Sequence, residues 1–424
     1  MSNSTLNTPL KKDRLWMVVF LFCFTATVID GMDIMLLSFS LTSLETEFGL
    51  TQPQKGSFAT YSMLGMCIGG ILSGWMADRF GRVKTIVWSI VLFAITTCML
   101  GATQSYLQFA VIRFISAIGL GAVYILCNTL MGEYVPTRHR TTLLGTLQAG
   151  LSIGYIAASL LANLLIPNPN YGWRWMFFLT AIPAIFVFLV SFLIPEPPSW
   201  VQENERRKRE AVMPKAPSLN RIMQTGSLRI LLRDPVTQRM FLFWTLTSIM
   251  LTFGYYGVNN WFPNFIEKEI GVNFKSMTLF MVGSYAAMVV SKILAGMAAD
   301  YLGRRFIFAF GTIATALFIP VIIYFRTPEN IPYLMIIFGF LYGIPYGVNG
   351  TYMIESFETR VRATAAGAAY NIGRGIAAVA PVAIGFIAIH YSIAAGLLLM
   401  GAAYFISGLI PALFIKEKRF NPQQ

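Results

Sequence analysis

GWMADRFGRVK, residues 74–84, returns as GMAADYLGRRF, residues 296–306. Aligning Asp78 with Asp300 sets an offset on which Gly74, Gly81 and Arg82 fall on Gly296, Gly303 and Arg304. A second phrase obeys the same spacing, since EYVPTRHR from Glu133 to Arg140 maps onto ESFETRVR from Glu355 to Arg362. Two matches at one offset indicate an internal duplication. Both copies of the longer phrase lie between long apolar runs.

Those runs dominate the chain. Of 424 residues 56% are hydrophobic and 12% charged, with a mean hydropathy of +0.62, too apolar for a soluble globular protein. Twelve apolar stretches of about 20 residues are each long enough to cross a hydrocarbon core as helix. The expected fold class is therefore an all-α membrane protein with twelve transmembrane helices in two six-helix bundles. Residues 1–194 form the first bundle with its N-terminus and 239–424 the second with its C-terminus. PEPPSW, followed by the charge run ENERRKRE, opens a linker over 195–238.

The net charge of +13 records topology. Of 32 Lys and Arg, 24 lie at the termini and in alternate loops, nine of them from Arg206 to Arg239, whereas only Lys55, Arg174, Lys268, Lys275 and Arg326 lie in the opposite loops. This asymmetry predicts cytoplasmic termini and a cytoplasmic linker, with the bilayer and not nucleic acid as partner. The four cysteines fall inside predicted helices of the first half, so no disulfide framework or metal spacing arises.

Charges within the bilayer are costly and mark functional sites. The sequence places five there: Asp30, Asp33, Arg113, Lys292 and Arg374. In VIDGMDIM, Asp30 and Asp33 stand three apart on one face of helix 1, in its outer half, at the depth of Arg113 in helix 4. Like charge and desolvation favour a protonated carboxyl and a nearby Arg opposes it, so Asp30, Asp33 and Arg113 are the expected proton-coupling group. The offset equates Asp30 and Asp33 with Thr252 and Tyr255, which confines the acidic pair to one half. Arg374, near mid-membrane in helix 11, is the expected anchor for a carboxylate. Lys292, one turn before Gly296, is read as snorkelling toward the cytoplasm. Tyr255, Asn259, Tyr346, Asn349, Gln148 and Asn128 complete the expected substrate site, where aromatic faces with a few donors suit a small planar acid.

The duplicated loops at these positions, and RFISAIGLG from Arg113 in helix 4, resemble the major facilitator superfamily over essentially the whole chain. That resemblance implies an inner gate of cytoplasmic charges, here Asp78, Arg82, Glu133, Asp300, Arg304 and Glu355. Gly74 and Gly296 are expected to permit close helix approach. Within the superfamily, DGMD in helix 1 with Arg113 and Arg374 resembles the aromatic acid:proton symporter family, whose helix-1 Asp pair and Arg residues in helices 4 and 11 are tied to transport. The resemblance implies import of benzoate-like acids or muconate into bacteria across the inner membrane, by alternating access.

The expected function is proton-coupled import of a small organic acid by a monomer, with no cofactor beyond the coupling proton and no metal. The alternatives are a proton-coupled exporter, or a membrane solute sensor that does not transport. Helix 5 lacks the Pro after Gly that drug antiporters of the superfamily usually carry, and no long cytoplasmic domain is present to signal. An enzyme is disfavoured, because His139 and His390 are the only histidines and no nucleophile motif or phosphate-binding GxxxxGK[ST] occurs.

Overall fold

The computed structural model describes residues 15–134, 140–168, 172–197, 200–202, 204–205, 234–357, 362–415 and 417; the side chains of Asp78 and Glu133 also fall outside this description. The described residues are helical and contain no strand. The helices are α1 (Leu15–Phe48), α2 (Gln52–Phe80), α3 (Arg82–Gly101), α4 (Tyr106–Tyr134), α5 (Arg140–Leu165) and α6 (Gly172–Ser191). They continue with α7 (Pro235–Lys268), α8 (Phe274–Leu302), α9 (Arg304–Phe325), α10 (Ile331–Ser356), α11 (Arg362–Ala377), α12 (Ala380–His390) and α13 (Ile393–Phe414).

Shifting α2 by the offset that carries Asp78 onto Asp300 lands it on α8 end to end, and α3 shifted likewise starts with α9 at Arg304. α5 maps onto α11 and α12 together. That second copy breaks because Pro381, in the first turn of α12, cannot donate to the carbonyl four residues back. Partners from other helices occupy nearby carbonyls: Thr60 Oγ1 donates to Ala378 O at 2.6 Å and Trp261 Nε1 to Pro381 O at 2.9 Å.

Among the described residues eleven segments, with Ala365–His390 counted as one, are long and apolar enough to cross a membrane, and α2, packed along α4, supplies the remaining crossing. Polarity is inverted relative to a soluble protein. Ile71, Leu107 and Leu164 expose 63%, 69% and 68% of their surface, whereas the five intramembrane charges are each no more than 3% exposed. Such a surface suits lipid, and this is a multi-pass membrane protein. α3 with α6, and α9 with α13, form matching outer pairs, so that the cavity lies among α1, α4, α5, α7, α8, α10 and α11.

The duplicated turns owe their glycines to a different position from the one expected. A Cβ at Gly74 or Gly296 would meet nothing within 4 Å, so neither permits a close helix approach. The required residues are Gly81 and Gly303, with φ of 115° and 97°, at the breaks between α2 and α3 and between α8 and α9. Directly beneath them a carboxylate seats on the next helix. Glu196 accepts from the backbone N–H groups of Arg82, Val83 and Lys84 at 2.7, 3.1 and 3.0 Å, and Glu417 accepts from Arg304 N at 2.8 Å. Each negative charge thus meets a helix N-terminus with its unpaired amides. Close helix approach occurs instead where α1 crosses α5: a Cβ on Gly31 would lie 2.1 Å from Leu151 O, and one on Gly154 2.1 Å from Val28 O.

At the start of α7, lower in the bundle, Asp234 caps the helix. Its carboxylate accepts from Thr237 Oγ1 at 2.5 Å and Thr237 N at 2.9 Å, bonds that hold the carboxyl below the usual carboxylate range.

The end of the bundle that bears residues 15 and 415 is called the terminal end. At the opposite, far end the two halves are laced together. Lys268 of α7 bonds Glu45 of α1, which also receives Lys55 Nζ at 3.0 Å; Thr42 Oγ1 donates to Glu267 at 2.9 Å and Ser38 Oγ to Asn259 O at 3.0 Å. Lys55 is fully buried beneath this cluster, its ammonium over the Trp261 ring at 5.6 Å.

Candidate functional site

Helix α1 continues to Phe48, which brings Asp30 near its midpoint rather than into its outer half. Gly31 lets α1 sink against α5 at that level, and Asp30 turns into a central cavity. The lining includes Tyr124, Gln148, Thr252, Tyr255, Tyr256, Lys292, Tyr346, Asn349, Tyr370 and Arg374. Asp30 Oδ1 is buried there with no hydrogen-bond partner among the described residues.

Asp33 does not share this environment, contrary to the expectation of one acidic group. Arg113 Nη1 binds its Oδ1 at 2.7 Å, while Arg113 Nε donates to Ser62 Oγ at 2.6 Å. Three residues rotate a helix by about 300°, so the two side chains splay by some 60° and meet different neighbours. Asp33 thereby belongs to a fully buried ion pair between α1 and α4. A second, smaller cavity, lined by Arg113, Ser62, Asn259 and Asn260, lies beyond Ile34 and Tyr256, which also wall the central one.

Arg374 sits across the central cavity on α11. Its Nε donates to Tyr256 Oη at 3.0 Å, and the guanidinium lies 5.9 Å and 5.4 Å from the ring centres of Tyr256 and Tyr370. These aromatic faces support the cation while leaving its two terminal nitrogens for an anion. One turn toward the terminal end, Tyr370 stacks on Tyr124 of α4 with centroids 5.5 Å apart and planes 17° apart. This pair joins the two halves below the cavity.

Lys292 does not snorkel. It is 1% exposed and reaches inward from α8 to the other half, donating to Ser152 Oγ at 2.9 Å and Gln148 O at 3.2 Å on α5.

The expected substrate residues divide. Tyr255, Tyr346, Asn349 and Gln148 line the central cavity. Tyr255 is hydroxyl-bonded to Tyr155 of the other half, Tyr346 to Tyr404 at 2.6 Å, and Asn349 Oδ1 is buried with no partner among the described residues. Asn128 stands behind Gln148, whose Nε2 it receives at 3.3 Å, and lies outside the lining. Asn259 is displaced as well, because its amide donates to Tyr342 Oη at 2.5 Å and to Tyr255 O at 2.9 Å and borders the smaller cavities.

Tyr124 and Tyr370 escaped the reading of the sequence, although the repeat marked them. Tyr124 is the offset partner of Tyr346, and Tyr370 that of Gln148; Asp30 with Thr252 and Ile34 with Tyr256 are two further partner pairs in the same lining.

Of the expected gate residues, Arg304 is held within its own half, by Glu355 at 2.7 Å and Asp300 at 3.3 Å. Arg82 offers its backbone N–H to Glu196, while the side chains of Asp78 and Glu133 lie outside the described residues.

The sequence matches the family model described as Major Facilitator Superfamily over residues 23–379 and again over 265–424. The chain belongs to the major facilitator superfamily. It is accordingly a transport protein and not an enzyme. It is 53% identical to the cis,cis-muconate transport protein of Acinetobacter baylyi over 96% of both chains. It is 23% identical to the benzoate transport protein of the same organism, over 88% of this chain and 83% of that one. Among solved structures of the superfamily fold, a D-xylose-proton symporter aligns with a TM-score of 0.77 at 20% identity, covering 95% of this chain and 98% of the other.

Proposed function

We propose that the protein imports a small organic acid derived from aromatic compounds, of which cis,cis-muconate is the leading candidate, together with protons. The observation that carries this reading is that Asp30, with a carboxylate oxygen no described residue binds, and Arg374, with two nitrogens no described residue binds, face one buried cavity. Ionised, Asp30 competes for the field of Arg374. Once protonated, it leaves the guanidinium free to take a substrate carboxylate. Proton and anion therefore favour each other's binding, which is the requirement for symport. The 53% identity to a muconate transport protein supports the substrate class.

The far end is read as the external face from the excess of basic residues in the loops at the terminal end. On this reading the laced far end is the closed outer gate of an inward-facing or occluded state, and the protein works as a monomer in the bacterial cytoplasmic membrane with both termini inside. Co-transport of a proton offsets the cost of moving an anion against a negative interior, about 2.3 kcal/mol per charge per 100 mV.

The test is uptake of radiolabelled cis,cis-muconate and benzoate into proteoliposomes under an imposed inward proton gradient, with wild type, Asp30→Asn and Arg374→Ala. Gradient-driven accumulation of an acid, lost in both variants, supports the proposal. Failure of wild type to accumulate either acid, with efflux under the reversed gradient, overturns it.

A further inference from the structure

The cavity holds more positive charge than one carboxylate can use. Asp33 is consumed by Arg113 outside it, leaving Asp30 as the acidic residue among the lining side chains, against both Arg374 and Lys292. Lys292 spends two of its three N–H donors on neutral oxygens, Ser152 Oγ and Gln148 O. In its protonated form a buried lysine whose contacts are neutral calls for a counter-ion, and the space it borders is the same one that Arg374 borders. With Arg374 charged and Lys292 in its ammonium form, the lining carries a formal charge of +1 when Asp30 is ionised and +2 when Asp30 is protonated. A dicarboxylate dianion matches the second value; a monocarboxylate leaves one cation unmatched.

We infer that Lys292 binds a second substrate carboxylate and so makes the site selective for dicarboxylates over monocarboxylates of similar size. The two cations project from different helices, α8 and α11, into the same cavity, so that each can take one carboxylate of a diacid. This inference rests on the reading of the cavity as a carboxylate site and adds the residue that discriminates between substrates.

The experiment compares kcat/KM for cis,cis-muconate and for its monomethyl ester in proteoliposomes containing wild type, Lys292→Gln or Lys292→Arg. The ester keeps the carbon skeleton and one carboxylate but loses the second charge. Wild type should prefer the diacid, and Lys292→Gln should reduce that preference by about ten- to a hundredfold, the loss of one charge-assisted hydrogen bond. Lys292→Arg should retain most of it. Equal loss of both substrates in Lys292→Gln would give Lys292 a structural role and overturn the inference. So would a wild type that takes up both acids equally well, a result that needs no variant to fold and leaves the carboxylate-transport reading standing. Uptake of neither acid by wild type would overturn that reading itself.

Discussion

Asp30 and Asp33 are three residues apart on one helix, yet Asp33 is bound to Arg113 at 2.7 Å while Asp30 faces the central cavity with an oxygen no described donor reaches. Asp33 Oδ2 likewise has no described partner, so what separates the two carboxylates is the ion pair with Arg113, and the two are expected to respond differently to substitution.

Replacing Asp33 by Asn keeps an acceptor oxygen but removes the counter-charge, which leaves the Arg113 guanidinium buried among neutral groups, Ser62 and a weak backbone contact among them. The expected loss of stability is about 3–5 kcal/mol, the usual cost of orphaning one member of a buried ion pair. Thermal unfolding in nanodiscs would show it, and Asp33→Asn combined with Arg113→Met should recover part of the loss. An unchanged unfolding temperature for Asp33→Asn would remove the structural role.

Asp30→Asn mimics the protonated acid and should leave the protein folded. Wild-type uptake should fall as external pH rises, because the proton is a co-substrate; the variant should lose this slope. It should also lose accumulation against a gradient, while exchange of labelled for unlabelled substrate across the membrane persists. Persistent gradient-driven accumulation in Asp30→Asn would exclude Asp30 as the coupling carboxylate.

The two kinds of glycine can be told apart by adding one methyl group. Gly31→Ala would place Cβ 2.1 Å from Leu151 O, a backbone atom that cannot turn aside, and should destabilise by about 1–3 kcal/mol or more as α1 is forced off α5. Gly74→Ala meets nothing within 4 Å and should be neutral or stabilising by up to about 1 kcal/mol, since Ala is the better helix former. Unfolding midpoints of the two variants, measured side by side, check both.

Glu45 gathers Lys55 and Lys268 at the far end. The Lys268 side chain is 36% exposed, so its pair contributes only about 0.5–1 kcal/mol to closure. Lys268→Ala should therefore raise the population open at that end about two- to fivefold. Spin labels on Thr46→Cys and Lys275→Cys, read by pulsed dipolar spectroscopy, should gain a longer distance component; an unaltered distribution would mean that the remaining lacing suffices.

The fold was legible because duplication writes itself twice. The single offset that carries Asp78 onto Asp300 aligns helix ends, the glycine turns and half of the cavity lining. Other features depend on what lies opposite in space, which spacing along one helix does not record. The separation of Asp30 from Asp33 needed the positions of Arg113 and Ser62. Lys292 lies near enough to a helix end to suggest snorkelling, yet its partners are on α5, in the other half of the chain. Asn128 and Asn259 are polar and at suitable depth, but neighbouring groups already use their amides.

Glu196 follows α6 and Glu417 follows α13, and each seats on the N-terminus of the third helix of its own half. Their separation along the chain falls a single position short of the spacing that relates the helices. The copied unit therefore extends past its sixth helix to include a closing strap, and the segment that begins the connection between the halves keeps that role. Each half is fastened within itself, so that the contacts between halves are left free to form and break.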